Sequence, residues 1–100
     1  MIVRSDLTLE QQIVQAVHAA YEGRQGYPKE AMTDPLSVVI CTVPNIESLA
    51  DWHVRLSLSD IWTYVFQEPD LVNQATALCT RPIYKHERKH FKKLSLWRPP

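Results

Sequence analysis

The chain has 100 residues, 45% of them hydrophobic and 22% charged, with only two glycines and no polar repeat, which suits one small folded domain and excludes global disorder. Its longest apolar run, near Val38, is about seven residues against the roughly 20 needed to span a bilayer, and no signal-peptide layout opens the chain, so a cytoplasmic protein without a membrane segment is expected. A formal net charge of zero conceals an asymmetry: residues 81–100 carry seven basic side chains against Glu87 alone, a net of +6, and residues 1–80 carry four basic against ten acidic, a net of -6.

Met1 to Arg4 reads as a short strand, and Ser5-Asp6-Leu7 turns the chain. Thr8 is placed to cap a helix, with Gln11 three residues on to complete a reciprocal box. That helix is expected from Leu9 to Glu22. Its apolar positions Ile13, Val14, Val17, Ala20 and Tyr21 share one face, and Gly23 and Gly26 are expected to stop it. Tyr27 to Pro35 reads as a loop with a short helical turn from Pro28. Leu36 to Val43 is β-branched and apolar, as a covered central strand requires.

Asn45 can cap a second helix running to about Leu56, in which Ile46, Leu49, Ala50 and His53 keep helical spacing. Ile61 to Phe66 is again strand-like, and the strand-helix-strand order implies a right-handed crossover with parallel pairing of the two strands. Gln67 to Asn73 makes a polar turn. Ala75 to Ile83 forms a fourth strand, with Pro82 at an edge or an end because it cannot donate to a ladder. Tyr84 to Leu94 forms a short basic helix. The expected fold is a single α/β domain, a three-layer sandwich with a mixed four-stranded sheet, spanning residues 1–83, with residues 84–100 packed on it or extending from it. Cys41 and Cys79 sit in strand-like apolar runs and read as buried free thiols.

On the first helix Gln11, Gln15, His18 and Glu22 fall in a polar stripe opposite much of the apolar face. An imidazole flanked by amides and a carboxylate suits proton transfer, although the commoner origin of such a stripe is a solvated face. His86 and His90 have the i, i+4 spacing of a metal pair, but no further ligand completes a set, so no metal is expected. His53 reads as a satisfied boundary histidine. Lys85, Arg88, Lys89, Lys92 and Lys93 interleave with Tyr84, Phe91 and Trp97. This pattern fits either a phosphate-contacting surface with aromatic anchors or a basic tail that neutralises the acidic body.

Two segments together resemble the second class of peptidyl-tRNA hydrolases, the type typical of archaea and eukaryotes with many small bacterial relatives. Val3-Arg4-Ser5-Asp6-Leu7 followed by Gln15-Ala16-Val17-His18-Ala19-Ala20 is similar to that family's opening strand, Arg-x-Asp-Leu turn and Ala-Gln-x-x-His-Ala helix. Glu68 through Pro82, with Thr76-Ala77-Leu78-Cys79-Thr80-Arg81-Pro82, is similar to its closing Thr-x-x-x-x-Gly-Pro strand. The resemblance covers about residues 2–83. It implies a mixed four-stranded sheet flanked by helices and hydrolysis, without a cofactor or metal, of the ester joining a peptide to the terminal ribose of tRNA. Gln15, His18 and Thr76 match family positions, as do Arg4 and Asp6 of the opening turn.

The family's Gly-Lys-Gly-Lys loop is two residues shorter here and lysine-free, with Gln11 where the second lysine would stand. Its Asp-Ala-Gly-x-Thr loop is replaced by Glu68-Pro69-Asp70, so Glu68, Asp70 or neither replaces the aspartate. In the catalytic version of the resemblance, His18 is the base, Glu68 its orienting carboxylate, and Gln15 with Thr76 contact the oxyanion or ribose. Arg4, Asp6, Gln11, Asp70, Lys89, Lys92 and Lys93 contact the acceptor end of tRNA. The alternative is a catalytically inactive tRNA-binding, RNA-binding or protein-interaction module. The sequence sets no oligomeric state, and a homodimer is among those it allows.

Overall fold

The computed structural model describes residues 1–27 and 38–98. In chain order they form β1 (Ile2–Arg4), α1 (Leu9–Gly26), β2 (Cys41–Val43), α2 (Ile46–Leu58), β3 (Thr63–Glu68), β4 (Gln74–Thr80) and β5 (Ser95–Leu96), with 3-10 turns at Pro69–Leu71 and Lys85–Phe91. The fold is α/β with a mixed sheet, in the order β3-β4-β1-β2-β5. The helical turn expected from Pro28, and Leu36 of the expected central strand, lie outside the described residues. No helix among the described residues is long and apolar enough to cross a membrane.

The sheet has five strands rather than the expected four. β5 pairs antiparallel with β2, Cys41 opposite Leu96 and Thr42 opposite Ser95. Two residues carry no periodicity, so nothing in Ser95-Leu96 announces a strand. The expected parallel pairing of the strands flanking α2 is also corrected. β2 pairs in parallel with β1, whereas β3 pairs antiparallel with β4 at the far edge. α2 therefore carries the chain across the sheet rather than to a neighbouring strand.

Both helix caps form as the sequence dictates. Thr8 Oγ1 accepts from the Gln11 amide at 3.2 Å and Asn45 Oδ1 from the Ser48 amide at 2.9 Å, satisfying donors the first turn leaves open. The Gln11 side chain does not complete the reciprocal box; its oxygen accepts from Gln15 Nε2 instead. α1 also runs past Gly23 and ends only at Gly26, the second of the expected stops. Gly23 is buried within it, and a β-carbon there would overlap the Cys79 sulfur and come within 3.3 Å of Tyr64 Cβ. Glycine is required at this position because the helix lies against the sheet.

Successive strand residues feed two apolar clusters, as strand alternation demands. Ile2, Cys41, Val43 and Leu78 join Leu49, Trp52 and Leu56 of α2. Val3, Ala77 and Phe66 join Ala19 of α1. His53 hydrogen-bonds with Thr63 Oγ1 at 2.6 Å at the boundary, and both cysteines are buried free thiols whose burial pushes their pKa up.

The basic segment forms the expected short helix, of the 3-10 kind and over Lys85–Phe91, and it is tied down. Phe91 and Leu94 pack on the α2-side cluster, and Trp97 Nε1 donates to Gln12 Oε1 of α1 at 2.9 Å. Arg81 makes a double contact with Glu87 at 2.9 and 2.6 Å, and Glu87 also accepts from the Tyr84 amide. The Arg81 guanidinium lowers the Glu87 carboxyl from the usual range to about 2. A carboxylate depressed on folding stabilises above its unfolded pKa and loses that contribution as pH falls through the folded value. Stability should therefore decline between about pH 4.5 and about pH 2. After discounting for solvent screening, this pair's share is about 1 kcal/mol. Urea midpoints across that window should fall less steeply for Glu87→Gln than for the unmodified chain; parallel curves would count against the pair.

Candidate functional site

α1 is seated opposite to the side its apolar periodicity suggests. Gln15, Ala16, Ala19 and Gly23 face the sheet, whereas Ile13, Val14, Val17 and Tyr21 are exposed. The stripe holding Gln15, His18 and Glu22, for which a solvated face is the commoner origin, borders the seam against β3 and β4, with Gln15 buried, Glu22 half-buried and His18 exposed. Small residues allow the close approach, and polar side chains complete it through hydrogen bonds rather than apolar contact.

At the centre of this seam Thr76 Oγ1 donates to Gln15 Oε1 at 2.8 Å, and Gln15 Nε2 donates to Gln11 Oε1 at 2.9 Å. A β-bulge creates the first contact. The register steps from Phe66 opposite Ala77 to Gln67 opposite Ala75, so Thr76 is the additional residue of β4. It faces α1 together with Ala77, its neighbour in sequence. A bulge re-aims a side chain in this way, and it leaves no trace in the hydrophobic pattern. Gln15 is 1% exposed and Thr76 0%. Buried and closed on one another, they pin α1 to β4 and position what stands beside them.

What stands beside them forms rungs. Tyr64 donates its hydroxyl to Glu22 at 2.5 Å, an arrangement that raises the tyrosine pKa. One rung on, the His18 ring stacks on Phe66 at 4.6 Å between centroids with planes 3° apart. Four helical residues rise about 6 Å and two strand residues about 6.7 Å, so the rungs keep step. The next one sets Glu68, at the end of β3, near the level of Val14 and Gln15. His18 is exposed and Glu68 half-buried, one rung apart on the same face. Neither Tyr64 nor Phe66 was singled out in the sequence, although period-2 alternation through Tyr64, Phe66 and Glu68 carried the signal.

The remaining candidates separate. Asp70 is exposed in the 3-10 turn after Glu68, a turn that closes through left-handed Val72 and Asn73. Arg4 is turned inward: Nε and Nη2 donate to the Asp6 carboxylate at 2.9 and 2.8 Å, and Nη1 to Gln74 Oε1 and the Ala75 carbonyl, both at 3.0 Å. With four of five donors spent and the residue 7% exposed, Arg4 clamps the start of β4 beside the bulge. Its guanidinium holds the Asp6 carboxyl below the usual range.

Lys89, Lys92 and Lys93 are exposed on the segment anchored to the α2-side cluster, so they do not share a face with Gln15 and Thr76. An open groove of about 440 Å³ lies between the start of α1 and the β2–β5 edge, with Ser5, Gln12, Thr42, Trp97 and Arg98 in its lining. It is distinct from the His18 face. His86 stacks on Tyr84 at 5.9 Å, and among the described residues no group of three or more His, Cys, Asp or Glu gathers to hold a metal. Compared with protein-family models and with curated proteins, the chain finds no match in either.

Proposed function

We propose that this chain is a peptidyl-tRNA hydrolase-like protein, built as a three-layer sandwich and acting on the ester between a peptide and the 3′ ribose of tRNA. The observation that supports this reading is the Gln15–Thr76 hydrogen bond. It joins the first helix to β4, the elements of the two segments that carry the family resemblance, and strand alternation sets Glu68 on the same face as His18. In this reading His18 takes the proton from the attacking water. Glu68, one rung away, favours the imidazolium that forms, and Gln11 at the open end of the amide chain contacts substrate.

A second reading has its own support. Thr76 spends its hydroxyl donor and Gln15 one of its two amide N–H groups on protein acceptors, both in a buried pair, and the first turn of α1 has no lysine. An oxyanion would thus lack donors whose individual loss costs about 100- to 1,000-fold in rate. The fold would then serve to bind tRNA without cleaving it, with Lys89, Lys92 and Lys93 contributing a salt-dependent phosphate contact.

Release of free peptide from a peptidyl-tRNA separates the two. Hydrolysis is expected, with His18→Ala slower by at least about 100-fold, the usual contribution of a general base, and Glu68→Ala slowed less. Turnover retained by both variants would overturn the site assignment. No turnover by the unmodified chain, together with tRNA affinity that falls as salt rises, would establish the second reading in its place.

A further inference from the structure

The inverted seating of α1 leaves an apolar ridge facing away from the domain. Ile13, Val14, Val17 and Tyr21 are 52%, 44%, 62% and 66% exposed. At 100° per residue they share a wedge about 100° wide, opposite Gln15, Ala16, Ala19 and Gly23. Glu10 and Arg24, one turn beyond either end, project into the same wedge. An acid at the start of the ridge, a base at its end and branched apolar side chains between make a surface complementary to itself when reversed.

We propose that this ridge pairs antiparallel with the same ridge of a second copy of the chain, about a two-fold axis through Val17. In that register Glu10 of one copy stands level with Arg24 of the other, and Ile13 and Val14 stand level with Tyr21 and Ala20. An isologous contact requires this self-complementarity, in which each residue meets its counterpart reflected about the axis. A face chosen for an unrelated partner has no need of it.

Antiparallel helices also set each helix's positive end beside the other's negative end. The formal net charge of zero leaves no overall repulsion between copies. From Glu10 to Arg24 the ridge is about 21 Å long and one helix wide. It buries roughly half the area of a standard interface, the size class of weak and transient association, for which a micromolar affinity is the scale to test.

Sedimentation equilibrium of the full chain from roughly 5 to 500 µM, a range that brackets such an affinity, tests the pairing. A monomer–dimer equilibrium is expected. Val17→Glu, which sets two carboxylates against each other on the axis, should weaken association by at least about tenfold. The residue is exposed, so the fold is retained, and circular dichroism verifies it. Glu10→Lys alone should also weaken association, and adding Arg24→Glu should restore it, because the reversed charges again face one another. A monomer throughout that range overturns the proposal and leaves the ridge to a different partner or to the chain's own residues. A dimer indifferent to Val17→Glu, or a charge exchange that fails to restore association, overturns it as well.

Discussion

Gly23→Ala is expected to destabilise the domain by about 2–3 kcal/mol, although alanine is the better helix former by about 1 kcal/mol. The position is buried mid-helix, and the added methyl would overlap the Cys79 sulfur with Tyr64 Cβ close behind. To make room the sulfur must rotate in a buried site, or α1 must lift off β3 and β4. Lifting would stretch the Thr76–Gln15 and Tyr64–Glu22 hydrogen bonds.

The sulfur is the principal obstacle, so Cys79→Ala should absorb the change. In Cys79→Ala, Gly23→Ala should cost under about 1 kcal/mol and could even stabilise, a non-additivity typical of residues in contact. Urea unfolding of the four chains measures it. Equal stability of Gly23→Ala and the unmodified chain would mean that the helix is not seated this closely.

This glycine shows where sequence legibility ended. By local rules Gly23 and Gly26 are helix stops, because glycine is favoured just past a C-terminus. The reason for Gly23 is a sulfur on β4, 56 positions along the chain, which no local pattern contains. The orientation of α1 was missed for a related reason. An apolar stripe marks a face that seeks apolar cover, but it does not say whether that cover is the chain's own sheet. Here the helix is held to the sheet by small residues and hydrogen bonds. Caps depend on neighbours three residues away, and so Thr8 and Asn45 were legible, as were α2 and the strands β3 and β4, though not which strands they pair with. That Gln15 and Thr76 meet was expected from their motifs. That they meet as a buried pair follows from the bulge, which alternation cannot reveal.

Arg4→Met should cost about 2–3 kcal/mol at neutral pH. Methionine preserves the apolar stem at a position 7% exposed while removing four hydrogen bonds. It leaves the Ala75 carbonyl without its side-chain donor and Asp6 without its cation. Bonds to charged groups contribute more than neutral ones, which sets the size of the loss.

Lysine at position 4 keeps the charge but cannot grip a carboxylate and the strand's groups in one plane, so Arg4→Lys should recover less than half. The pH dependence separates this account from simple loss of packing. Arg4 holds Asp6 below the usual carboxylate range, so this stabilisation is present above the ordinary carboxylate pKa and fades as acid protonates Asp6 in the fold. The gap between the unmodified chain and Arg4→Met, measured by urea unfolding, should narrow from pH 7 to pH 3; a constant gap would assign the cost to packing alone. Because Arg4 grips Gln74 and Ala75 next to the bulge, the hydrolase reading proposed above adds a second expectation: the same substitution should slow release of peptide from peptidyl-tRNA while His18 and Glu68 are intact, an effect that a clamp on the far side of the domain would not produce.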